Sequence, residues 1–378
     1  MTFIRNYWYV ASWAHELSPT HPTAITIIGE PLVLFRTAAG DAAALEDCCC
    51  HRSAPLSHGR CESGLLRCMY HGLLFDGTGK CVRIPGQAHI PAACRVRSYP
   101  TVESRGLIWV WMGDPTLADT RQIPVPDDYD PTDWDMRSSQ CDVQANYLLM
   151  TDNLADMSHV AYLHETTLAG GDTRISDSHP TITRLERGIR VERWLADRRK
   201  MEDWLPDDPR LPPASPSERR QDLWLGYDLL APGIFVMRSE IHEAGVAHAS
   251  GYAAPQKQPL HANLNFQAVT PAGQTSMRHF FALGPPRRET VGNPTLAHDM
   301  FEVMLKSFAE DRIMLEAQQR NLARRPIQAA AAIRHDHGLQ LMRRIIRQMI
   351  EQESDSLPSQ RPAPDREPVH ERTSSPLE

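Results

Sequence analysis

The 378-residue chain has no run of eighteen or more consecutive apolar residues, so no segment reads as a membrane-spanning helix. It has no surplus of positive charge: 40 Lys and Arg against 47 Asp and Glu leave a formal net charge of −7. A phosphate-binding surface needs clustered positive charge, so nucleic acid is excluded as a general partner. No Gly-rich phosphate loop follows a strand; Asp76-Gly77-Thr78-Gly79 reads as a turn. A nicotinamide or flavin site is therefore not expected in this chain. The stretch Met1–Trp8 lacks a charged region followed by an apolar core, so it reads as the start of a folded domain, with the cytoplasm as the expected address. Beyond Cys141 there is no cysteine at all.

What is present is concentrated. Eight cysteines fall at 48, 49, 50, 61, 68, 81, 94 and 141. Reduced thiols clustered with histidine point to metal more than to disulfides. Two short clips stand out: Cys49-Cys50-His51, then sixteen residues, then Cys68-Met69-Tyr70-His71. Two thiolates and two imidazoles fit either a tetrahedral structural zinc or a Rieske [2Fe–2S] cluster, in which two His replace two Cys on one iron. Zinc sites usually keep the Cys pair in one clip and the His pair in the other. Here each clip is mixed, which suits a cluster with both thiolates on one iron and both imidazoles on its neighbour. Cys49 is preferred over Cys48 and Cys50 because it sets the C-x-H spacing. Gly59, Gly64 and Gly72 let backbone N–H groups approach the cluster.

The length allows two to three domains. Residues 24–36 read as two short strands around a Gly-Glu-Pro turn, 42–47 as another, and Val102–Met112 as one strand of strong β-formers. Residues 1–115 therefore read as a small all-β domain and 116–136 as a Pro- and Asp-rich linker. Residues 137–350 read as a second domain, and 351–378 as a disordered tail rich in Ser, Pro, Glu and Arg. In the second domain, Asn146–Thr167, Pro294–Leu322 and Leu339–Ile350 carry helical spacing, while 180–194 and 223–283 return to strands. Lys200–Arg220 reads as a long loop, in the place of a lid. The fold class is α+β: an N-terminal all-β metal domain, then an antiparallel sheet flanked by helices.

Two histidines, His159 and His164, lie on the first of these helices among carboxylates. Five residues apart, they sit about 140° around an ideal helix, so they share a metal only if the helix bends. Asp152 and Asp156 are nearby carboxylates.

The segments His51-Arg52-Ser53-Ala54-Pro55-Leu56-Ser57, Arg67-Cys68-Met69-Tyr70-His71-Gly72-Leu73 and Gly79-Lys80-Cys81-Val82-Arg83-Ile84-Pro85-Gly86-Gln87 resemble the oxygenase subunits of Rieske non-haem iron oxygenases. The likeness is to the branch that includes vanillate and dicamba O-demethylases, and it extends over roughly residues 5–345. One departure is Cys50, where relatives commonly carry Pro. The resemblance implies Cys49, His51, Cys68 and His71 as cluster ligands. It also implies a mononuclear Fe(II) held by His159, His164 and Asp311, with Glu310 as the alternative carboxylate. Two His and one carboxylate leave positions open for O2. The resemblance gives Asp156 a bridging role between the Rieske histidine of a neighbouring subunit and an iron-ligand histidine, with Asn153 near that bridge, and so implies a homotrimer. It implies NAD(P)H electrons delivered by a separate reductase or ferredoxin, and a small aromatic substrate that is mono-oxygenated. Oxidative O- or N-demethylation is the expected outcome; ring hydroxylation and cis-dihydroxylation are the same-fold alternatives. An electron carrier without oxygenase chemistry is the alternative of another class, and His159, His164 and Asp311 argue against it.

Two further expectations concern surfaces. Arg52, Arg60, Arg67, Lys80 and Arg83 make the clip region locally positive, either to dock an acidic donor or to hold the loops together. Asn265 and Gln267, on the polar face of 261–267, and Glu302 are expected to line the substrate pocket.

Overall fold

The computed structural model describes residues 3–125, 130–168, 172–199, 220–325 and 331–356. Before Tyr147 the described residues hold strands and short 3-10 turns, and no α-helix. The strands up to Met112 are β1 (Tyr7–Trp13), β2 (Thr23–Ile27), β3 (Glu30–Arg36), β4 (Ala42–Glu46), β5 (Arg60–Glu62), β6 (Leu65–Arg67), β7 (Leu74–Phe75), β8 (Cys81–Arg83), β9 (Ser98–Tyr99), β10 (Thr101–Ser104) and β11 (Leu107–Met112). They form sheets of order β1-β11-β10, β2-β3-β4-β9 and β5-β6-β7-β8. The stretch Val102–Met112, expected as one strand, is a hairpin. Arg105 (φ 54) and Gly106 (φ 78) both take left-handed conformations, the two-residue turn whose twist suits paired strands.

The second unit is a seven-stranded antiparallel sheet of β12 (Arg137–Val143), β13 (Thr181–Leu185), β14 (Gly188–Arg199), β15 (Arg220–Leu230), β16 (Ile234–Glu243), β17 (His261–Gly273) and β18 (Ser276–Gly284). Its order is β12-β18-β17-β16-β15-β14-β13. The helices are α1 (Tyr147–Ala155), α2 (Val160–Leu163), α3 (Arg174–Asp177), α4 (Val246–Ala249), α5 (Arg287–Thr290), α6 (Leu296–Arg324) and α7 (His337–Ser356). The antiparallel sheet with flanking helices is the α+β arrangement expected from the sequence.

The two units share a core. All seven residues of β1 are buried. Trp13 stands edge-on to Phe266 and Phe280, and its indole N–H donates to the Ser139 carbonyl at 3.1 Å. The Thr270 hydroxyl donates to the Val10 carbonyl at 2.7 Å. Burying rings of this size contributes roughly 1.5–3 kcal/mol each, so the seam holds the cluster-bearing unit firmly against the sheet.

Three expectations need correction or placement. Asn146–Thr167 is not one helix. α1 stops at Ala155, Asp156 is extended (φ −129, ψ 104), and a 3-10 turn, Met157–His159, leads into α2. The cause is Asp156 itself: its carboxylate accepts from the Ser158 N–H and hydroxyl, both at 2.8 Å, so it starts a new turn instead of continuing the old one. The chain also stays helical past Ile350 to Ser356, because α7 is pinned there; Glu353 accepts from the Arg5 backbone N–H at 2.7 Å. Most of the long loop, 200–219, and the tail beyond 356 lie outside the described residues, and Arg220 opens β15.

Candidate metal centres and cavity

The two clips are one loop built twice. Cys49 N–H donates to the Ala54 carbonyl, and Ser53 N–H returns to Cys49; Cys68 N–H donates to Leu73, and Gly72 N–H returns to Cys68, all at 2.9 Å. The fourth residue after each cysteine is left-handed: Ser53 at φ 53 and Gly72 at φ 76. A side chain at Gly72 would also strike Pro85 at 2.8 Å, so glycine is required there for space as well as for conformation. Cys49 and Cys68 are 2% and 1% exposed, whereas His51 and His71 are exposed, with ring centroids 4.5 Å apart.

Burial pushes the Cys49 thiol up to about 12, with the neighbouring Cys68 adding to the effect. A thiol so raised ionises only beside a strong positive charge, which an iron cluster provides. Among the described residues, the one group of three or more His, Cys, Asp and Glu with all donor atoms within 4.8 Å of one another lies elsewhere. The four clip donors therefore do not close on a single ion, as zinc requires. They fit a two-iron cluster with thiolates inward and imidazoles at the surface.

Cys50 turns away toward the thiols of Cys94 and Cys81. Arg67 and Arg60 hold the loops. Both donate to Glu62, and Arg67 also donates to the Gly72 carbonyl at 2.7 Å, next to His71. Arg52, Lys80 and Arg83 are exposed.

The compact group is His159, His164 and Asp311. The break at Asp156 brings the two histidines together, their ring centroids 5.3 Å apart. Asp311 Oδ1 lies 3.3 Å from His164 Nε2 and 3.7 Å from His159 Nε2. Each imidazole is aimed by its far nitrogen. His159 Nδ1–H donates to the Asp156 carbonyl at 2.6 Å, and His164 Nδ1–H to Glu310 Oε2 at 2.7 Å. Both Nε2 atoms are left facing Asp311. Asn153 Nδ2 donates to Asp311 Oδ1 at 2.8 Å and lies 3.3 Å from His159 Nε2. Burial lowers the His159 imidazole despite the pull of Asp311, which favours the neutral, metal-binding form. Burial also works against His164 protonation, but Asp311 and Glu310 outweigh it and hold that group above its ordinary value. Asp152 is tied instead to α7, through Arg343 at 2.8 and 2.6 Å.

Glu310 thus orients a histidine from outside the donor group, held by the Thr167 hydroxyl at 2.9 Å. The acidic pair in the sequence did not separate these two roles. Replacing Glu310 by Gln will weaken iron retention by about 10–100-fold, the usual loss when an outer partner of a ligating histidine is removed. Iron content after dialysis against a chelator, with the cluster's absorbance as internal reference, checks this.

The three side chains line a cavity of about 250 Å³. Leu225, Phe235, Met237, Met300, Met304 and Phe308 give it apolar walls. Asn265 and Gln267 are both buried in its wall, and Gln267 accepts from His279 at 2.8 Å. Glu302 does not belong. It is exposed, because it stands two and a half turns from Asp311 on α6, on the opposite side of the helix. Met300, Val303, Met304, Ser307, Phe308 and Asp311 form the inward face.

A strand-built cluster domain joined to a sheet-and-helix domain with a buried two-His, one-carboxylate corner defines the oxygenase component of a Rieske non-haem iron system. Family models match in that order: a Rieske [2Fe-2S] domain over residues 7–100, and a vanillate O-demethylase oxygenase C-terminal domain over residues 143–352. The chain belongs to the vanillate O-demethylase-type family of Rieske oxygenases. It is 34% identical over 358 residues to the toluene-4-sulfonate monooxygenase system iron-sulfur subunit of Comamonas testosteroni, covering 93% of this chain and 98% of that one. It is 32% identical to a vanillate O-demethylase oxygenase subunit of a Pseudomonas strain, covering 94% and 97%. Its structure superposes on dicamba monooxygenase bound to dicamba with a TM-score of 0.76 at 29% identity, covering 94% of this chain and all of that one. No described helix is long and apolar enough to cross a membrane.

Proposed function

We propose that this oxygenase component removes a methyl group oxidatively from a small aromatic ether or amine. The observation that carries the reading is the corner of His159, His164 and Asp311 in the wall of an apolar cavity sized for a single substituted ring. The named activities of the vanillate and dicamba relatives support it. When bound, the cluster relays single electrons and the Fe(II) activates O2 for insertion of one oxygen atom. The protein's part is positional. Asp156 and Glu310 aim the two imidazoles, Asn153 holds the Asp311 carboxylate, and the apolar wall excludes water and presents the methyl group to the corner. Hydroxylation of that methyl yields an adduct that collapses to the demethylated arene and formaldehyde.

Electrons come, on this reading, from NAD(P)H through a separate reductase or ferredoxin that docks near the exposed His51 and His71, with Arg52, Lys80 and Arg83 as the positive groups that face it. The protein works as a homotrimer in the cytoplasm, with the cluster of one subunit serving the iron of the next. Iron quantitation and formaldehyde release on a panel of methoxy- and N-methyl-arenes, driven by a surrogate reductase, test the function. About three irons per chain and formaldehyde are expected. About two irons and no turnover would make the chain an electron carrier; hydroxylated rings without formaldehyde would shift the reaction to ring oxygenation.

A further inference from the structure

Three thiols take no part in holding the cluster, yet they meet beside it. Cys50 lies between the ligands Cys49 and His51, while Cys81 and Cys94 come from later in the chain. The backbone beyond β8 folds back on itself. Lys80 and Arg95 pair across an antiparallel bridge. The Cys81 N–H donates to the Cys94 carbonyl at 3.1 Å, and the Val96 N–H donates to the Gly79 carbonyl at 2.8 Å. This register sets Cys81 and Cys94 opposite each other, with their side chains on one face. That face packs on the core that holds Cys49 and Cys68.

The three differ in access and in partners. Cys81 is 1% exposed, and its thiol donates to the Arg83 carbonyl at 3.4 Å. Cys94 is half-buried and Cys50 is exposed. The Cys50 thiol is in hydrogen-bonding contact with that of Cys94, with Cys81 close by. A metal ion would need more than this pair. Among the described residues, the three sulfurs do not form a group with all donors within 4.8 Å of one another. What the arrangement offers is chemistry between two thiols. A disulfide needs its two Cβ atoms about 4 Å apart, which thiols already in contact reach by turning about χ1.

We propose that Cys50 and Cys94 form a reversible, peroxide-sensitive thiol pair, which closes to a disulfide while the cluster stays in place. The link ties the clip that carries Cys49 and His51 to the segment leading into β9. It goes beyond the oxygenase reading above and does not depend on which substrate the cavity takes.

The oxidant is hydrogen peroxide, the product of O2 whenever its reduction stops at two electrons. Cys50, the exposed member, reacts first. Its sulfur attacks one peroxide oxygen, the O–O bond breaks, and Cys50 becomes a sulfenic acid as one water leaves. The Cys94 sulfur then attacks the Cys50 sulfur. The S–S bond forms, the S–O bond breaks, and the hydroxyl leaves with the Cys94 proton as a second water. Two thiols have lost two electrons and one peroxide has gained them. Partial burial and the thiols of Cys94 and Cys81 hold Cys50 above its ordinary range, so the first step is slow and answers sustained peroxide rather than a trace. Once closed, the pair is spared the irreversible sulfinic and sulfonic stages, and a dithiol reopens it. Cys81, buried and bonded to a carbonyl, is left out.

The test is peptide mapping of the full-length holoenzyme after graded hydrogen peroxide, with the cluster's absorbance followed in the same samples. Trypsin cuts after Arg83 and Arg95, so Cys81 and Cys94 fall on different peptides. A disulfide-linked peptide joining the Cys50 and Cys94 segments is expected while the absorbance is still whole, and dithiothreitol should remove it. Cys48, Cys49 and Cys50 share one peptide, so Cys50→Ser assigns the link by abolishing it. If Cys50→Ser is isolated without its cluster, Cys94→Ser, which lies outside both clips, takes its place. In that variant the link is absent and Cys50 stops at the sulfenic acid, which dimedone labels. Oxidation of Cys50 to the sulfinic or sulfonic acid in wild type with no link overturns the pair. So does a link from this segment to Cys81, or one that appears only in step with loss of the cluster, when the ligand thiols themselves are released. None of these readouts uses turnover, so a chain that releases no formaldehyde would sink the demethylase and leave the pair standing.

Discussion

Asp311→Ala will empty the mononuclear site and bring product formation to background, while the absorbance of the cluster stays unchanged. Asp311 is 4% exposed and is the carboxylate that both ligand imidazoles face. Without it, only the imidazoles of His159 and His164 remain as donors, too few for a divalent iron. The loss exceeds the roughly 10–100-fold expected for an outer partner such as Glu310. Asn153 loses its acceptor at 2.8 Å as well, so the amide that steadied the carboxylate is left against His159. Metal analysis decides the matter: about one iron fewer per chain is expected, with the two cluster irons retained. A variant that still holds three irons, or still forms product at a tenth of the normal rate or more, would show that another carboxylate takes the position, and Glu310 is the nearest one.

The parts of this protein legible in the sequence are those set by local spacing. The C-x-H and C-x-x-H clips need a backbone turn repeated twice, and Ser53 and Gly72 supply it at matching positions. Helical spacing placed α6 and the shared face of Met300, Met304 and Phe308, while Asp311 came from the family resemblance. The same spacing also shows why Glu302 was misplaced: half a turn separates a lining residue from a solvent-facing one. The bend that lets His159 and His164 meet was visible only as a requirement. Its cause, a side-chain cap from Asp156 to Ser158, competes with a helix that every neighbouring residue tolerates. Arg198, a buried residue of the cavity wall, was not legible at all. Its inward direction depends on a slipped register between β14 and β15, held by Asp222 from another strand, and no pattern along β14 encodes that. Glu310 and Asp311 are adjacent acids on one helix, and only the positions of His164 and Thr167 tell orienter from ligand.

Asp156→Asn will separate electron delivery from iron binding. The amide oxygen still accepts from the Ser158 N–H, so the bend stays, and the backbone carbonyl that aims His159 is untouched, so the iron is retained. What is lost is the negative charge of the carboxylate. Asp156 also borders a second cavity, of about 280 Å³, that shares none of the lining of the substrate cavity and is walled by His179, Pro180, Arg193, Arg334 and His335 among others. In the proposed trimer, the exposed His71 of a neighbouring subunit would reach the iron domain at Asp156. In single-turnover experiments the variant's cluster is expected to accept electrons at the normal rate and to give them up at least roughly 10–100-fold more slowly. Metal analysis distinguishes it from Asp311→Ala, because its iron count stays whole. Co-assembly tests the path itself. Asp311→Ala keeps its cluster and lacks the iron; His71→Ala keeps the iron site and lacks a working cluster. Each is inactive alone. If electrons cross between subunits, mixed assemblies of the two recover activity, since an intact cluster then sits beside an intact iron. Electrons confined to one chain would leave the mixture as inactive as its parts, and the assignment of His71 and Asp156 to a shared boundary would fall with it.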